Sequence, residues 1–494
     1  MISWVRAYLL IPFIIFTFLF FFFNQALFSY FSQDDFFHLR QVMDKNIYTL
    51  PAMLVPGASS EQTFYRPLGR EFYNFVMINL FGTRPLPFHL VNLLLIIVNG
   101  FLMYKFIKSF SLNKAAAVIA LVLYFTSAVH SVELYYLSSV QTLISTLFIL
   151  SGIILYKIFL DDSNYKKYLS SLVFFILAIS SHESALTFIP IVAMLELFSL
   201  KRLKPKQIIT IIYHSLPFVV VFIIRVLIYF YLVGLPDQMV YQPVFSPVSI
   251  ANGFIWFTLW CFGLPEMLVD FVTLKFQVNP NLFKWYEDYV KIVFSFLALI
   301  FAIILYLIIL FKDKLIKQKS LYLFLSCYLI SLVPFLFFPQ HKFVYYLTFP
   351  VIWFSMFLGM FLSFVWRRKG KTKFLVAVFL FSYIFISFKT VEINKITYWA
   401  AKRARAAQFL ISDITSKYPK VERSTIFYFR KDPNYPQISQ EWGSSSKQAF
   451  YILSGSDALQ LSYRDTTIKV MYEDIDALPK GQDKVIVYTA KFPY

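Results

Sequence analysis

Residues 9–35 read LLIPFIIFTFLFFFFNQALFSYFSQDD, a run without any charged side chain until it ends at Asp34 and Asp35. A bilayer core about 30 Å thick needs roughly 20 mainly apolar residues in a helix that crosses it. Residues 8–30 supply that length. Only a helix or a closed barrel satisfies every backbone polar group in lipid. The stretch therefore predicts a membrane-spanning helix whose exit is marked by two carboxylates.

Similar apolar segments follow along the 494-residue chain, which is 59% hydrophobic and only 15% charged. A soluble domain has about 25% charged residues, so this composition excludes a soluble enzyme with a single anchor. We predict a polytopic α-helical membrane protein with about 11 transmembrane helices. The predicted spans are 8–30, 86–108, 114–130, 136–159, 167–181, 184–200, 207–233, 290–311, 319–338, 343–366 and 373–390.

The net charge of +19 is distributed by loop rather than gathered on a soluble domain, so we do not expect a nucleic-acid partner. With the N-terminus in the cytoplasm, twenty Lys and Arg fall on the inner side, at Arg6 and within 105–114, 157–167, 201–206, 312–319 and 367–373, and eight fall in the outer loops. Cytoplasmic loops carry the excess of basic residues. We therefore predict a multi-pass plasma-membrane protein with a cytoplasmic N-terminus and an external, periplasmic-side tail.

This topology divides the chain into a transmembrane domain, 1–390, and an external soluble α/β domain, 391–494. Within the first, 31–85 form an external loop with helices predicted at 35–45 and 68–81. Residues 234–289 form a second external loop, whose aromatic stretch 249–272 predicts an interfacial helix, with a re-entrant pair as the alternative. In the tail, the pattern predicts a helix over 396–416 and strands at 425–429, 459–463, 468–472 and 485–488.

Ionisable residues near apolar helices are costly and tend to mark function, and here most acids and at least four of the six histidines lie at external helix ends. The cytoplasmic loops hold only three acids, Asp161, Asp162 and Asp313. On the outer side the groups are Asp34, Asp35 and His38, then His130 and Glu133, then His182 and Glu183, and finally His341 and Lys342. This asymmetry predicts a site on the outer face of the bundle.

An outer site has no access to soluble cytoplasmic nucleotide donors, so an activated group must arrive on a lipid. A carboxylate can take a proton from an incoming hydroxyl or amine, and a cation can hold a departing phosphate. The candidate proton acceptors are Asp34, Asp35 and Glu183, with Glu133 as a further candidate. The candidate phosphate-binding cations are Arg66, Arg70, Lys342 and the mid-helix Arg225. Together they indicate group transfer from a lipid phosphate.

The same residues could also have purely structural roles. Asp34 and Asp35 are equally typical of a solvated helix boundary or an N-cap, and Glu183 of a cap for the helix that follows it. Arg225 within a span is harder to explain structurally. The two cysteines, Cys261 and Cys327, lie far apart in apolar surroundings and indicate buried thiols.

Four short motifs, in order and on the same face, resemble those of GT-C-fold glycosyltransferases, in particular the protein O-mannosyltransferase and aminoarabinose-transferase superfamily. They are Asp34-Asp35, Tyr65-Arg66-Pro67-Leu68, His182-Glu183-Ser184-Ala185-Leu186 and His341-Lys342-Phe343-Val344-Tyr345. The resemblance covers roughly residues 1–390. The chain departs from the pattern where His182 replaces a lysine and where His341-Lys342 replaces Glu-Arg.

The resemblance implies a polyprenyl- or dolichyl-phosphate-linked sugar as donor and a single, inverting displacement. It does not reveal the acceptor, which we expect to be a protein, lipid or glycan. We expect Asp34 to be the base with Asp35 as its partner or alternate, and Glu183 to orient the acceptor or the base. Phosphate and lipid contacts would come from Arg66, Arg225, His341, Lys342 and Tyr345, with His182 and Arg70 as further candidates. Relatives differ in their use of a divalent metal, and no ligand set in this sequence requires one.

Two other functions remain alternatives. A transporter or flippase for a glycolipid would place its binding groups near the bilayer midplane, often on broken helices, whereas only Arg225 lies deep here. A non-catalytic receptor or scaffold would use 391–494 as its binding module. Turnover of a lipid-linked sugar by the purified protein separates the enzyme from both.

Overall fold

The computed structural model describes residues 2–57, 64–110, 114–200, 204–234, 241–367, 370–435, 443–479 and 484–492, and the side chains from residue 11 onward. The basic residues Lys201, Arg202, Arg368 and Lys369 lie outside these ranges. Twenty helices and a three-stranded sheet are described within them.

Most of the chain forms a bundle of long apolar helices, which establishes a multi-pass α-helical membrane protein. Its helices are α1 (Ile2–Phe22), α2 (Asn24–Leu27), α6 (Pro85–Ser109), α7 (Lys114–Phe125), α8 (Val129–Tyr135), α9 (Val140–Asp162), α10 (Tyr165–Ile179), α11 (Phe188–Ser199), α12 (Pro205–Ile228), α13 (Pro247–Cys261), α14 (Asn281–Leu315), α15 (Lys319–Leu336), α16 (Pro350–Trp366) and α17 (Lys371–Thr397). Three further helices, α3 to α5, lie between α2 and α6, in the first long loop.

Each of the eleven predicted spans falls on helix, but the count of eleven is not confirmed. Within the described residues, six helices are long and apolar enough to cross a bilayer: Pro85–Ser109, Leu137–Asp162, Pro205–Val233, Asn281–Leu315, Lys319–Leu336 and Thr372–Thr397. A seventh span results if α7 and α8, which meet at a 44° bend, are taken together. Two of the remaining predicted spans fall on shorter helices. α10 has 15 residues and α11 has 12, whereas a straight crossing takes about 20.

The first long loop, 31–85, which is predicted to be external, contains α3 (Asp34–Val42), α4 (Leu50–Met53), a π-helical turn (Pro67–Phe72) and α5 (Tyr73–Phe81). The two helices predicted at 35–45 and 68–81 are thereby confirmed. The π-helical turn packs closely on the chain between α10 and α11, where the Leu68 N–H donates to the Ser180 carbonyl over 3.1 Å. The first loop is thus held against the top of the bundle.

The second long loop, 234–289, which is also predicted to be external, is built around α13, and this helix carries most of the predicted aromatic stretch. Trp256, Phe257 and Trp260 lie on one face of α13 and are almost fully buried, and the helix packs against α15. A 3₁₀ turn over Glu266–Phe271 follows. The interfacial position of this segment stays a prediction.

The tail folds as α18 (Trp399–Lys417), β1 (Ile426–Lys431), α19 (Ser445–Leu453), α20 (Asp457–Tyr463), β2 (Lys469–Tyr472) and β3 (Val485–Ala490). The sheet is parallel, with β1 in the centre, and Phe427 faces Val470 and Ile486 across the two ladders. Three predicted strands and the predicted helix are confirmed. The strand predicted at 459–463 is wrong, because that segment is α20.

The physical reason for this error is that alternation over five residues is too short to exclude a helix. Leu459 and Leu461 do alternate with polar residues, but Ala458 is also fully buried. The helix starts with Asp457 in its first turn, where an acid suits the helix dipole, and it stops at Arg464 in the left-handed region with a φ of 52°.

The tail and the first long loop share a hydrophobic core. Phe31, Phe36 and Leu39 of the loop pack in one cluster with Leu410 of α18 and Leu453 of α19. We call residues 399–492 the C-terminal unit. Because this unit and α3 bury their apolar faces in a common core, the unit sits directly behind the acid pair.

Candidate active site

The acid pair opens α3, and its two carboxylates have different surroundings. Asp35 is 4% exposed. Its Oδ1 accepts from the Ser138 N–H at 2.8 Å and the Ser138 hydroxyl at 2.7 Å, and its Oδ2 accepts from the Ser32 N–H at 2.9 Å. Asp34 is half-buried, and its Oδ2 accepts from the Tyr136 hydroxyl at 2.5 Å. Asp35 is therefore tied into the backbone, whereas Asp34 keeps access to solvent.

Burial dominates the ionisation of both acids. It raises the pKa of Asp35 to about 7, against the opposing effect of the Ser138 and Ser32 hydrogen bonds. It also raises the pKa of Asp34, and there the Tyr136 hydrogen bond and the positive charge of Arg403 act in the opposite direction. A carboxylate with a raised pKa is a better proton acceptor than a solvated one.

A second cluster joins Arg66 of the first loop to Glu183 in the turn between α10 and α11. The Arg66 Nε donates to Glu183 Oε2 at 2.8 Å, its Nη2 lies 2.7 Å from the same oxygen, and its Nη1 donates to Gln141 Oε1 at 2.8 Å. The Tyr229 hydroxyl donates to Glu183 Oε1 at 2.5 Å. Burial alone would raise the pKa of Glu183, but Arg66 holds it well below the usual range. Glu183 is therefore a permanent anion.

Arg225 lies beside this cluster and is only 7% exposed. Its guanidinium is stacked between the rings of Tyr65, at 4.5 Å, and Tyr229, at 4.8 Å. Within the described part of the chain, its Nε and Nη2 have no hydrogen-bond partner. Buried polar groups are nearly always bonded, and an unpaired buried cation is especially costly. Arg225 could therefore bind an anion through these two nitrogens.

The late turn before α16 supplies an aromatic wall. The Tyr345 ring stacks on Phe343 at 5.3 Å and contacts Tyr136 at 5.4 Å, next to Asp34. His341 bonds the Tyr346 hydroxyl over 2.6 Å, and burial lowers the pKa of His341 to about 4, so the ring is neutral near pH 7. Lys342 donates to Asn252 Oδ1 of α13 at 2.7 Å, and burial lowers its pKa.

Two connections place these clusters in one region. Ser138, which binds Asp35, also offers its carbonyl to the Gln141 side chain at 3.1 Å, and Gln141 binds Arg66. Asp34, Arg66 and Glu183 are all close enough to Tyr241 to act on the ionisation of its hydroxyl. Tyr241 in turn contacts the His341 ring, with 4.6 Å between centroids.

Three of the candidate residues are engaged elsewhere. Glu133 has no exposed surface, and its Oε2 is paired with His130 at 2.9 Å inside the bundle. Arg70 pairs with Glu71 and donates to the Phe64 carbonyl at 2.6 Å. His182 caps the 3₁₀ turn Glu183–Thr187, since its Nδ1 accepts from the Ser184 N–H at 3.1 Å. Glu133 and Arg70 are therefore bonded to other groups, whereas His182 stays beside the Arg66–Glu183 pair, with its Nε2 3.8 Å from Glu183 Oε2.

Several residues of the site were missed from sequence, among them Tyr136, Ser138, Gln141, Tyr229, Tyr241 and Arg403. Apart from Arg403 they are neutral polar or aromatic side chains. Such residues do not stand out as site residues in a chain that is 20% aromatic. Among the described residues, no group of three or more His, Cys, Asp and Glu is arranged to hold a metal ion.

Comparison with known proteins gives likenesses of structure alone. No family model matches the chain, and no curated protein sequence matches it either. The fold is similar to that of ArnT from Cupriavidus metallidurans bound to undecaprenyl phosphate, with a TM-score of 0.49 and 11% identity over 95% of this chain and 86% of that one.

It is also similar to the archaeal oligosaccharyltransferase AglB from Archaeoglobus fulgidus in complex with an inhibitory peptide and a dolichol-phosphate. The TM-score is 0.44 and the identity 13%, over 86% of this chain and 63% of that one. Both structures are those of GT-C-fold membrane glycosyltransferases. These likenesses concern the overall path of the chain at low sequence identity. The function must therefore be inferred from the side chains of this protein.

Proposed function

We propose that this protein is an integral membrane glycosyltransferase that moves a sugar from a polyprenyl- or dolichyl-phosphate donor to an acceptor on the external face. The observation that carries the proposal is the presence, in one region, of the half-buried Asp34 and of a buried arginine whose Nε and Nη2 have no hydrogen-bond partner among the described residues. Asp34 takes a proton, and Arg225 binds a phosphate. Both features are what transfer from a lipid phosphate requires.

In the proposed reaction Asp34 accepts the proton of an acceptor hydroxyl or amine as that atom attacks the anomeric carbon of the sugar. The bond between this carbon and the phosphate oxygen breaks, and its electron pair leaves with the lipid phosphate. Proton transfer must accompany attack, because an acceptor hydroxyl is far too weak an acid to ionise beforehand. A single displacement inverts the anomeric centre.

The leaving phosphate would be held by cations near the ends of the helices, since Arg225 lies in the last turn of α12 rather than in the middle of a span. Arg225 offers two nitrogens, Nε and Nη2, that have no hydrogen-bond partner among the described residues, and charge-assisted bonds of this kind are about twice as strong as neutral ones. Arg66 is already bonded to Glu183 and Gln141, so its contribution is electrostatic. The Glu183 carboxylate would then orient Arg66 rather than take a proton.

The remaining candidates would shape the donor site. Tyr345 lies between the acid pair and the late turn, where its ring can pack on the sugar or on the first isoprene units. His341 is neutral near pH 7, so it would bond the donor without adding charge. Lys342, held by Asn252, would add a positive charge at the pocket edge. Membrane lipids and a protein, lipid or glycan acceptor complete the proposed partners.

Binding of the carrier lipid tests the phosphate assignment. Purified full-length protein in detergent should bind undecaprenyl phosphate, measured by native mass spectrometry or by displacement of a fluorescent analogue. Loss of charged hydrogen bonds costs about 1.5–3 kcal/mol, so Arg225→Leu should bind roughly 10- to 100-fold more weakly. Arg84→Leu is the matched control, since Arg84 is exposed at the start of α6. Equal affinity in both variants would remove Arg225 from the site.

Turnover decides between the enzyme and its alternatives. Membranes containing the protein should transfer labelled sugar from a panel of undecaprenyl-phosphate-linked hexoses and pentoses to endogenous acceptors. Glycoconjugates from cells with and without the protein would identify the acceptor by mass spectrometry. Lipid binding with transbilayer movement and no transfer would instead indicate a flippase, and neither transfer nor movement would indicate a scaffold.

A further inference from the structure

The N-terminal end of α3 is held by the C-terminal unit. Gln33, which immediately precedes the acid pair, accepts a hydrogen bond from the Arg403 guanidinium of α18 at its side-chain oxygen. Its backbone N–H donates to the Ile452 carbonyl of α19 over 3.1 Å. Gln33 has a φ of 47°, a conformation that a residue with a side chain keeps only when its surroundings enforce it.

The same helix α18 reaches Asp34 from a second side. The Trp399 ring lies 5.1 Å from the Tyr136 ring, and the Tyr136 hydroxyl is the donor to Asp34 Oδ2. The Arg403 guanidinium lies over the Trp399 ring at 5.2 Å. Arg403 and Trp399 are one helical turn apart, so together they form a rigid face against the start of α3.

The opposite end of α3 is held as well. Arg40 in the last turn of α3 donates to Asp457 of α20 at 2.7 Å, and this ion pair is largely buried. Between the two ends, Phe36 and Leu39 pack in the core shared with the C-terminal unit. Movement of the unit would therefore move the acid pair with it.

We infer that Arg403, a residue of the C-terminal unit, is a positioning residue for the Asp34 carboxylate. The C-terminal unit is therefore a part of the proposed active site, together with the helical bundle. Arg403 is not proposed to touch substrate. It fixes Gln33, supports Trp399 against Tyr136 and places a positive charge near Asp34. The predicted effect of an Arg403 substitution on turnover rests on the proposed function. The predicted effect on the titration of Asp34 does not.

The charge of Arg403 should show in the titration of Asp34. Arg403 lowers the pKa of Asp34, against the effect of burial, so its removal should raise that pKa and leave more of the protonated acid at any given pH. Among the described residues, the titratable groups that interact with Asp34 directly are Asp35, Tyr136, Tyr241 and Arg403. Elements packed on α3 also carry Arg70 and Glu71, which pair with each other, Tyr73, which acts on Asp35, and Asp457, which binds Arg40.

Carbodiimide labelling measures this effect without any substrate. Dicyclohexylcarbodiimide modifies protonated carboxyls, and mass spectrometry of the digest reports how much Asp34 is labelled at each pH. In R403Q the labelling midpoint should move to higher pH, and in R403K, which keeps the charge, it should move back towards the wild-type value. R405Q is the matched control, because Arg405 is exposed two residues along α18 and donates to the Lys395 carbonyl.

In the transfer assay, R403Q should lose about 10- to 100-fold in kcat, the scale expected for a misplaced catalytic group, with the KM for the lipid-linked sugar little changed. Thermal unfolding of each variant controls for the fold, and R403M, which also removes the charge, replaces R403Q in the test if R403Q does not fold. A wild-type labelling midpoint in folded R403Q would overturn the inference. A shifted midpoint in a protein without any transfer activity would support the inference and overturn the proposed function instead.

Discussion

At the scale of single residues, the neighbouring acids Asp34 and Asp35 differ in their hydrogen bonds, and we expect them to have different roles. Asp35 accepts three bonds from Ser32 and Ser138 and is 4% exposed, so it organises the turn in front of α3. Asp34 accepts a bond from the Tyr136 hydroxyl and remains half-buried. Consecutive residues of a helix point about 100° apart, which is why only one of the pair can face the pocket.

Asparagine substitutions should therefore separate the two roles. Asp34→Asn keeps the acceptor for Tyr136 but cannot take a proton, so transfer should fall about 10²–10⁴-fold with undecaprenyl phosphate binding unchanged. Asp35→Asn must lose one of its backbone or hydroxyl bonds, so it should cost about 1–3 kcal/mol of stability and less turnover. Transfer assays and thermal unfolding of purified variants measure both effects. Wild-type turnover in the double variant would exclude both acids from the chemistry.

At the scale of secondary-structure elements, the site depends on how closely the first loop docks on the turn that carries Glu183. Gly69 in the π-helical turn lies against the backbone of Ser181, and a Cβ added there would come within 2.6 Å of the Ser181 carbonyl oxygen. Only glycine permits this approach. The contact lies three residues from Arg66 and two from Glu183, so it sets the distance between these partners.

Gly69→Ala should push the loop away from the turn and loosen the Arg66–Glu183 pair. We expect an overpacking cost of about 1–3 kcal/mol and a loss of transfer of about 10- to 100-fold. Gly253→Ala in α13 is the control, because a Cβ there meets only an ordinary contact with Leu336 at 3.6 Å. Equal activity of the two variants would show that the loop tolerates displacement.

At the scale of the whole molecule, the distribution of charge orients the bundle. Acids and histidines gather at one end of the helices, and the loops at the other end are basic. The C-terminal unit lies at the acidic end, because it shares its core with α3. If the positive-inside rule holds for this chain, the acid pair and the C-terminal unit both face the outside.

Cysteine labelling in intact cells tests this orientation. Both native cysteines are buried, so an impermeant maleimide should report only on introduced ones. Ser412→Cys on the exposed face of α18 should be labelled directly, and Lys317→Cys in the exposed turn between α14 and α15 only after permeabilisation. The reverse pattern would place the acid pair in the cytoplasm and contradict the predicted topology.

The amino-acid sequence by itself determined that this is a helical membrane protein and at which helix ends its acids lie. Apolar length and loop charge are local properties, and each acts on its own stretch of chain. Short segments were less well determined. The strand predicted at 459–463 is helical, and α10 and α11 are too short to count as straight spans by length alone.

Only the tertiary structure decided which side chains meet. Arg66 and Glu183 are 117 residues apart, and Gln33 and Arg403 are 370 apart. Such pairs form because helices pack in a particular order, and no local pattern encodes that order. The difference between Asp34 and Asp35 has the same origin, and so has the burial of Arg225 without a hydrogen-bond partner for its Nε and Nη2 in the described part of the chain. Both depend on neighbours brought together by long-range packing.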